Sequence, residues 1–207
     1  MKQKGTKRAL HRGTSLIEVS VVVGITAIVT LGAASFIILS FRNQRIINDQ
    51  LFGQKEARRI VAEIVNTVRT AEPSSIGSYA IAEATTSSLT VYANIDKDTL
   101  RERIHYWLQG TELKKGVLKP SGNPLSYVGA EQVTTLAHNV RNTSVGTETF
   151  QYFTESYAGS GAGMATPITI PNIRMVKVVI EIERDLNVSP VPLRVESITQ
   201  IRNLKEN

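Results

Sequence analysis

Twenty-three consecutive residues, Val19 to Phe41, carry no charge, and Glu18 and Arg42 bound them on either side. As a helix this run is about 34 Å long, enough for a bilayer core of about 30 Å. Its few polar groups do not spoil it. The hydroxyls of Thr26, Thr30, Ser35 and Ser40 can return to the helix's own carbonyls. Gly24 and Gly32 lower helix propensity in water but are common in membrane helices.

What flanks the run fixes its context. Lys2, Lys4, Lys7, Arg8 and Arg12 precede it, with no acidic residue among the first thirteen. These five account for most of the net charge of +6; without them 19 basic residues face 18 acidic ones. Bulk charge therefore offers a nucleic acid nothing to bind, and no nucleic-acid partner is expected. The basic flank predicts a cytoplasmic N-terminus and a body beyond the membrane. The run is longer than the 7–15 apolar residues of a cleavable secretory signal. Cysteine is absent, which excludes disulfides and thiolate metal sites.

After Arg42 the pattern becomes amphipathic to about Thr70. Ile47, Leu51, Arg58, Val61, Val65 and Val68 recur at helical spacing, and Ile60 and Ile64 extend that face. No proline occurs from Thr14 to Glu72, and Pro73 then supplies a stop. The spacing predicts one helix of about 57 residues, near 85 Å long. Its first half suits lipid and its second half suits packing on a soluble domain.

The segment Arg12-Gly13-Thr14-Ser15-Leu16-Ile17-Glu18-Val19 resembles the processing site of type IV prepilins and type II secretion prepseudopilins. Gly13 matches the last leader residue, Leu16-Ile17 the apolar pair, and Glu18 the glutamate. Thr14 stands where phenylalanine is usual, a change that minor subunits often tolerate. The resemblance implies a prepilin peptidase cut between Gly13 and Thr14 and N-methylation of Thr14. It also implies other pilin or pseudopilin subunits, an inner-membrane assembly platform and membrane lipid as partners. The chain would sit in the cytoplasmic membrane as a single-pass protein and then enter a pilus or pseudopilus.

Glu18 has a physical reading of its own. A carboxylate at the edge of an apolar run is costly to desolvate and needs a partner. In a bundle of such helices the amine of a neighbour's Thr14 suits it, and the pair would set axial register.

The expected domains are a leader at 1–13, a membrane segment at 14–41, its amphipathic continuation at 42–72 and a β-rich body at 73–207. Residues 74–88, rich in Ser, Thr, Ala and Gly, read as a loop. Leu89–Ile95, Arg103–Leu108 and Glu112–Leu118 read as an antiparallel meander with a tight turn at Gly110. Val133–Val140 is a short strand or helical turn. Thr149–Phe153, Arg174–Ile182 and Leu193–Ile201 are further strands. The fold expected is α+β, a pilin-like lollipop with the long helix packed on an antiparallel sheet. The order of strands, with Arg101 to Leu108, Phe150 to Phe153, Ile173 to Val179 and Arg202-Asn203, also resembles the J-type minor pseudopilins and W-type minor pilins.

Chemistry in the body looks sparse. His11 belongs to the leader, and His105 and His138 have no second ligand at metal spacing. Asp96, Asp98 and Glu102 read as a solvated hairpin turn, because their spacing is not that of a known calcium loop. Gly159 to Gly163 lacks the Lys-Ser/Thr of a phosphate loop, and no serine sits in a nucleophile elbow. Tyr106, Trp107, Tyr152 and Phe153 read as strand packing. Arg58 and Arg59 with Glu56 and Glu63 read as charge pairs along the exposed helix flank. No catalytic residue, metal or cofactor is expected. The resemblance points to a minor pilin or pseudopilin, a structural subunit that initiates or caps a type IV pilus or type II secretion pseudopilus; the alternatives are a DNA-uptake pseudopilin and a single-pass membrane-anchored binding domain that never polymerises.

Overall fold

A computed structural model describes residues 15–96, 98–183 and 192–204, apart from the side chain of Asp49. Helix α1 spans Leu16–Arg69, 54 residues without a break. It ends four residues before Pro73, where Ala71 N–H turns back to the Val68 carbonyl. Arg69, a cation in the last turn, also donates to Asn66 Oδ1 at 2.7 Å. The chain divides into two compact units, Met1–Arg45 and Ile46–Asn207.

Among the described residues the second unit contains the C-terminal part of α1 and eight strands. They are β1 (Ile81–Ala84), β2 (Ser88–Ala93), β3 (Glu102–Gln109), β4 (Glu112–Leu118), β5 (Gln132–Ala137), β6 (Phe150–Phe153), β7 (Met175–Ile182) and β8 (Leu193–Gln200). A short helix, α2 (Asn142–Val145), lies between β5 and β6. All pairings are antiparallel. The strands form two sheets, β1-β2-β3-β4-β5 and β6-β7-β8, where the sequence suggested one.

Alternation along β3 explains its burial: Ile104 and Tyr106 point inward, and Arg103, His105 and Trp107 point outward. The β3–β4 hairpin closes on Gly110-Thr111, with Gln109 opposite Glu112. Gly110 takes φ +61°, the left-handed region that a tight hairpin loop requires.

One core joins both sheets to α1. Ala57, Ile60, Val61, Ile64 and Val68 of the helix share a buried cluster with Leu89, Val91, Ile104 and Tyr106 of the larger sheet. Phe150, Tyr152, Val176, Val178 and Ile180 of the smaller sheet belong to the same cluster. The buried stripe differs from the expected one in its membership. Ile47, Leu51 and Arg58 are exposed, and Val65 is only partly buried. The helix's buried face is set by Ala57, Ile60, Ile64 and Val68, whose spacing of three and four holds one azimuth. Ile47 and Leu51 precede the turns against which the sheets pack.

Two further readings are corrected. Residues 74–88 contain β1, because strand pairing uses backbone groups and does not require a hydrophobic run; Ile81 opposes Val91. The Val133–Val140 segment is a strand only to Ala137, and α2 was not foreseen at all. Helix α2 depends on Asn142, which is fully buried. Its amide donates to the Val179 carbonyl and accepts from Glu181 N–H, both at 2.8 Å. The side chain thus bridges the β7 ladder between Thr149, which accepts from Val179 N–H, and Arg141, whose N–H reaches the Glu181 carbonyl.

Asn142→Ala leaves two buried backbone groups of β7 without partners, each worth about 1–3 kcal/mol. A lower urea midpoint, followed through Trp107 fluorescence, is the expected outcome. Burial also pushes the phenols of Tyr106 and Tyr152 well above their ordinary value. Their folded pKa values exceed the unfolded value of about 10, so this contribution is complete below pH 10 and lost as pH rises past it. Denaturant midpoints should fall above pH 10, and Tyr152→Phe should flatten that fall.

Candidate functional site

The first unit is dominated by exposed apolar side chains. Every large residue from Val19 to Phe41 that is hydrophobic stands open on α1, with Leu16 and Ile17 ahead of them. Four hydroxyls of its apolar half return to the helix's own carbonyls. Thr26 donates to the Val22 carbonyl and Thr30 to that of Thr26, both at 2.8 Å, and Ser35 to Leu31 at 2.9 Å. Ser20, not singled out from sequence, does the same with Leu16 at 2.9 Å. Each hydroxyl is thereby made compatible with a medium that offers no hydrogen bonds. This helix is long and apolar enough to cross a membrane.

Glu18 lies in the first turn of α1 and is exposed. A carboxylate there meets the positive end of the helix dipole. Gly13 and Thr14, the expected cleavage and methylation positions, lie outside the described residues, as does His11. A Cβ on Gly24 or Gly32 would meet nothing within 4 Å, so both face open space along the helix.

In the body the structure sorts the other candidates. Tyr106, Tyr152 and Phe153 are core residues. Tyr106 donates to Thr67 Oγ1 of α1 at 3.1 Å, and Tyr152 to the Thr85 carbonyl at 2.7 Å. Trp107 instead stacks on His105 on the outer face, with ring centroids 4.3 Å apart. Exposed His138 pairs with half-buried Glu112 at 3.1 Å. Glu63 reaches across to Lys115 of β4 at 2.8 Å. That bond joins α1 to the larger sheet, and it replaces the pairing of Glu63 with Arg58 or Arg59 expected from helix spacing.

His105 lies between two partners that sequence spacing did not reveal. Its Nε2 is 3.1 Å from Ser88 Oγ, and its Nδ1 is 3.3 Å from Glu131 Oε2. Glu131 also accepts from Arg103 at 3.2 Å. The carboxylate lies over Gly116 of β4, where a Cβ would collide with it. The order Ser-His-Glu has the form of a nucleophile relay. Ser88, however, sits within a paired strand and its own N–H is donated to Thr85 Oγ1 at 2.9 Å. The N–H beside the hydroxyl is therefore not free to face an oxyanion. What the group does visibly is tie β2, β3 and the entry to β5 together.

The turn after β2 is more than a solvated hairpin. Lys119 pairs with both Asp96, at 2.7 Å, and Asp98. The hydrogen bond from Lys119, aided by Leu100 N–H, holds the Asp98 carboxyl below the usual carboxylate range. Tyr127 fixes the same end of the sheet. Its hydroxyl donates to the Arg101 carbonyl at 2.5 Å and accepts from Ser75 N–H at 3.1 Å, while its ring packs 5.0 Å from Tyr92.

No family model matches the chain, and no curated protein matches it significantly. The fold is nonetheless of the pilin-like kind, a long N-terminal helix with antiparallel sheets packed on its second half.

If the first half of α1 crosses a bilayer, a charge at its centre is costly. Val29→Arg should lower insertion by about 2.5–3.5 kcal/mol. The check is the fraction of chain left in the membrane pellet after carbonate extraction, which should fall sharply relative to the unaltered chain.

Proposed function

We propose that this chain is a structural subunit of a pilin-like filament, anchored in the cytoplasmic membrane before it assembles. The finer reading is a minor pilin or pseudopilin, cut between Gly13 and Thr14 and methylated on the new amine. Peptidase, assembly platform and neighbouring subunits are its partners in this reading, and the chain itself catalyses nothing.

The observation that carries the proposal is the exposed apolar surface that reappears on α1 beyond Arg42 and Arg45. Ile47 and Leu51 are each 57% exposed, and they lie beyond the uncharged run. From Val19 to Leu51 the helix rises about 50 Å, against a hydrocarbon core of about 30 Å. Lipid covers the first part only. Helices of like subunits packed side by side can cover the whole length. This favours assembly over a solitary membrane-anchored domain.

Glu18 supports the same reading. It is a single acidic group at the head of an apolar helix, and in a packed bundle it needs a cation. A neighbour's Thr14 amine, freed by cleavage, supplies one. Leaving one partner of such a buried pair alone costs about 3–5 kcal/mol. An axial misfit between helices would incur that cost, so the pair would select register.

Intact-mass measurement and N-terminal sequencing of membrane-extracted chain test the processing step. A start at Thr14 with one added methyl is expected; a start at Met1 in cells with active peptidase sinks it. Glu18→Ala should leave membrane insertion unchanged and reduce recovery in sheared filament fractions at least tenfold. Leu51→Glu should do the same without changing the urea midpoint of the body.

A further inference from the structure

Strand β8 is the last strand of the smaller sheet, and among the described residues no further strand pairs with it. Its register with β7 is unbroken, from Leu193 opposite Ile182 to Gln200 opposite Met175. No proline or bulge blunts it, although exposed edges are usually guarded by such devices. The opposite edge, at β6, is closed. There the Tyr152 carbonyl accepts from Met164 N–H at 2.8 Å, and Phe150 N–H donates to the Thr86 carbonyl at 3.0 Å.

The bonds of β7 show which groups of β8 are left over. Val179 N–H donates to the Thr149 carbonyl, and the Val179 carbonyl accepts from Asn142. Glu181 N–H and carbonyl go to Asn142 and Arg141. Val179 and Glu181 therefore face away from β8, and the alternate residues Val178 and Ile180 face it, opposite Ser197 and Val195. Arg194, Glu196 and Ile198 then turn their N–H and C=O groups to the open side. A cleft of about 370 Å³ opens between α1 and β8, with Arg58, Val61, Ala62 and Val195 in its lining. Glu196, also in the lining, is answered by Lys177 at 2.9 Å and Arg194 at 2.8 Å. Arg58 is exposed and makes no ion pair among the described residues. Glu63 is held by Lys115, and Glu56, two positions before Arg58, lies about 200° round the helix.

We propose that the open edge of β8 and the cleft beside it bind an extended segment of another protein, added as a further strand, with an acidic side chain that meets Arg58. Backbone bonds to Arg194, Glu196 and Ile198 hold such a strand, and its alternate side chains enter the cleft. Small apolar ones suit Val61, Ala62 and Val195. A carboxylate suits the free guanidinium, which can bind both of its oxygens. The site lies wholly in the second unit and does not depend on the filament reading.

The test uses the full chain in detergent and a fluorescent seven-residue peptide, Thr-Val-Thr-Glu-Thr-Val-Thr, followed by anisotropy. Saturable binding of one peptide per chain is expected. Lysine in place of the peptide's glutamate should weaken binding at least tenfold, and Arg58→Glu should reverse that preference. Ile198→Pro removes an N–H that faces the open side and breaks no bond to β7, so it should abolish binding with an unchanged urea midpoint. The peptide N-methylated throughout keeps its charge, has no backbone N–H, and should not bind; this arm leaves the protein unaltered. The proposal is overturned if the unaltered chain shows no saturable binding or if Ile198→Pro binds undiminished. It is equally overturned if the N-methylated peptide binds as well as its parent, which makes the contact one of charge alone, or if Arg58→Glu keeps the preference for glutamate. A chain that is dimeric until Ile198→Pro makes it monomeric pairs with its own copy, and that too overturns it.

Discussion

Two sheets with separate strand ladders share one object, the apolar stripe of α1 from Ala57 to Val68. Without it each sheet would present an inner face to water. Full burial of side chains such as Ile60 or Ile64 is worth about 1.5–3 kcal/mol each. The same residues serve both sheets, so the helix is the element on which the body closes. Gly53 shows how close the approach is at one end, where a Cβ would lie 3.9 Å from Ile182 of β7. At the other end Asn203 donates to the Ala71 carbonyl at 2.9 Å and ties the chain's last described turn to the helix exit.

Polar groups inside this body locate things that hydrophobic contact cannot. Tyr106 to Thr67 and Lys115 to Glu63 fix where the larger sheet sits along α1. Tyr152, reaching the Thr85 and Ser88 carbonyls, fixes the smaller sheet against the larger one. Thr149 and Phe150 N–H groups both turn to the Thr86 carbonyl beside it. Asn142 performs in one side chain what a further strand residue would have done. Apolar burial supplies the driving force, and these bonds choose one arrangement among many that would bury similar area.

The long helix was legible because its signal is periodic over many turns and no proline interrupts it. Strands β3, β7 and β8 were legible for a similar reason, being long and rich in β-branched or aromatic residues, and β4 was legible through the tight turn at Gly110 that folds it back on β3. The misses have physical causes. Strand β1 has four residues and hardly any apolar side chains of size, so its backbone pairing leaves no trace in composition. Helix α2 is held by a tertiary bond from Asn142, and such a bond has no local signature. Division into two sheets turns on which strand edges meet, which alternation within each strand does not encode. At the head of α1, Glu18 could be picked out because a charge beside an apolar run is rare. By contrast, Lys119 and Glu131 are ordinary surface residues in sequence, and only the fold brings them to Asp98 and His105.

Gly116 constrains the chain's own history. Glu131 occupies the room that any other side chain at position 116 would need, while it holds Arg103 and His105. A lineage that acquired alanine there would expel the carboxylate and strand two basic groups on the outer face. The constraint runs one way: an acid held in this pose at position 131 requires glycine at position 116, while glycine there does not require the acid.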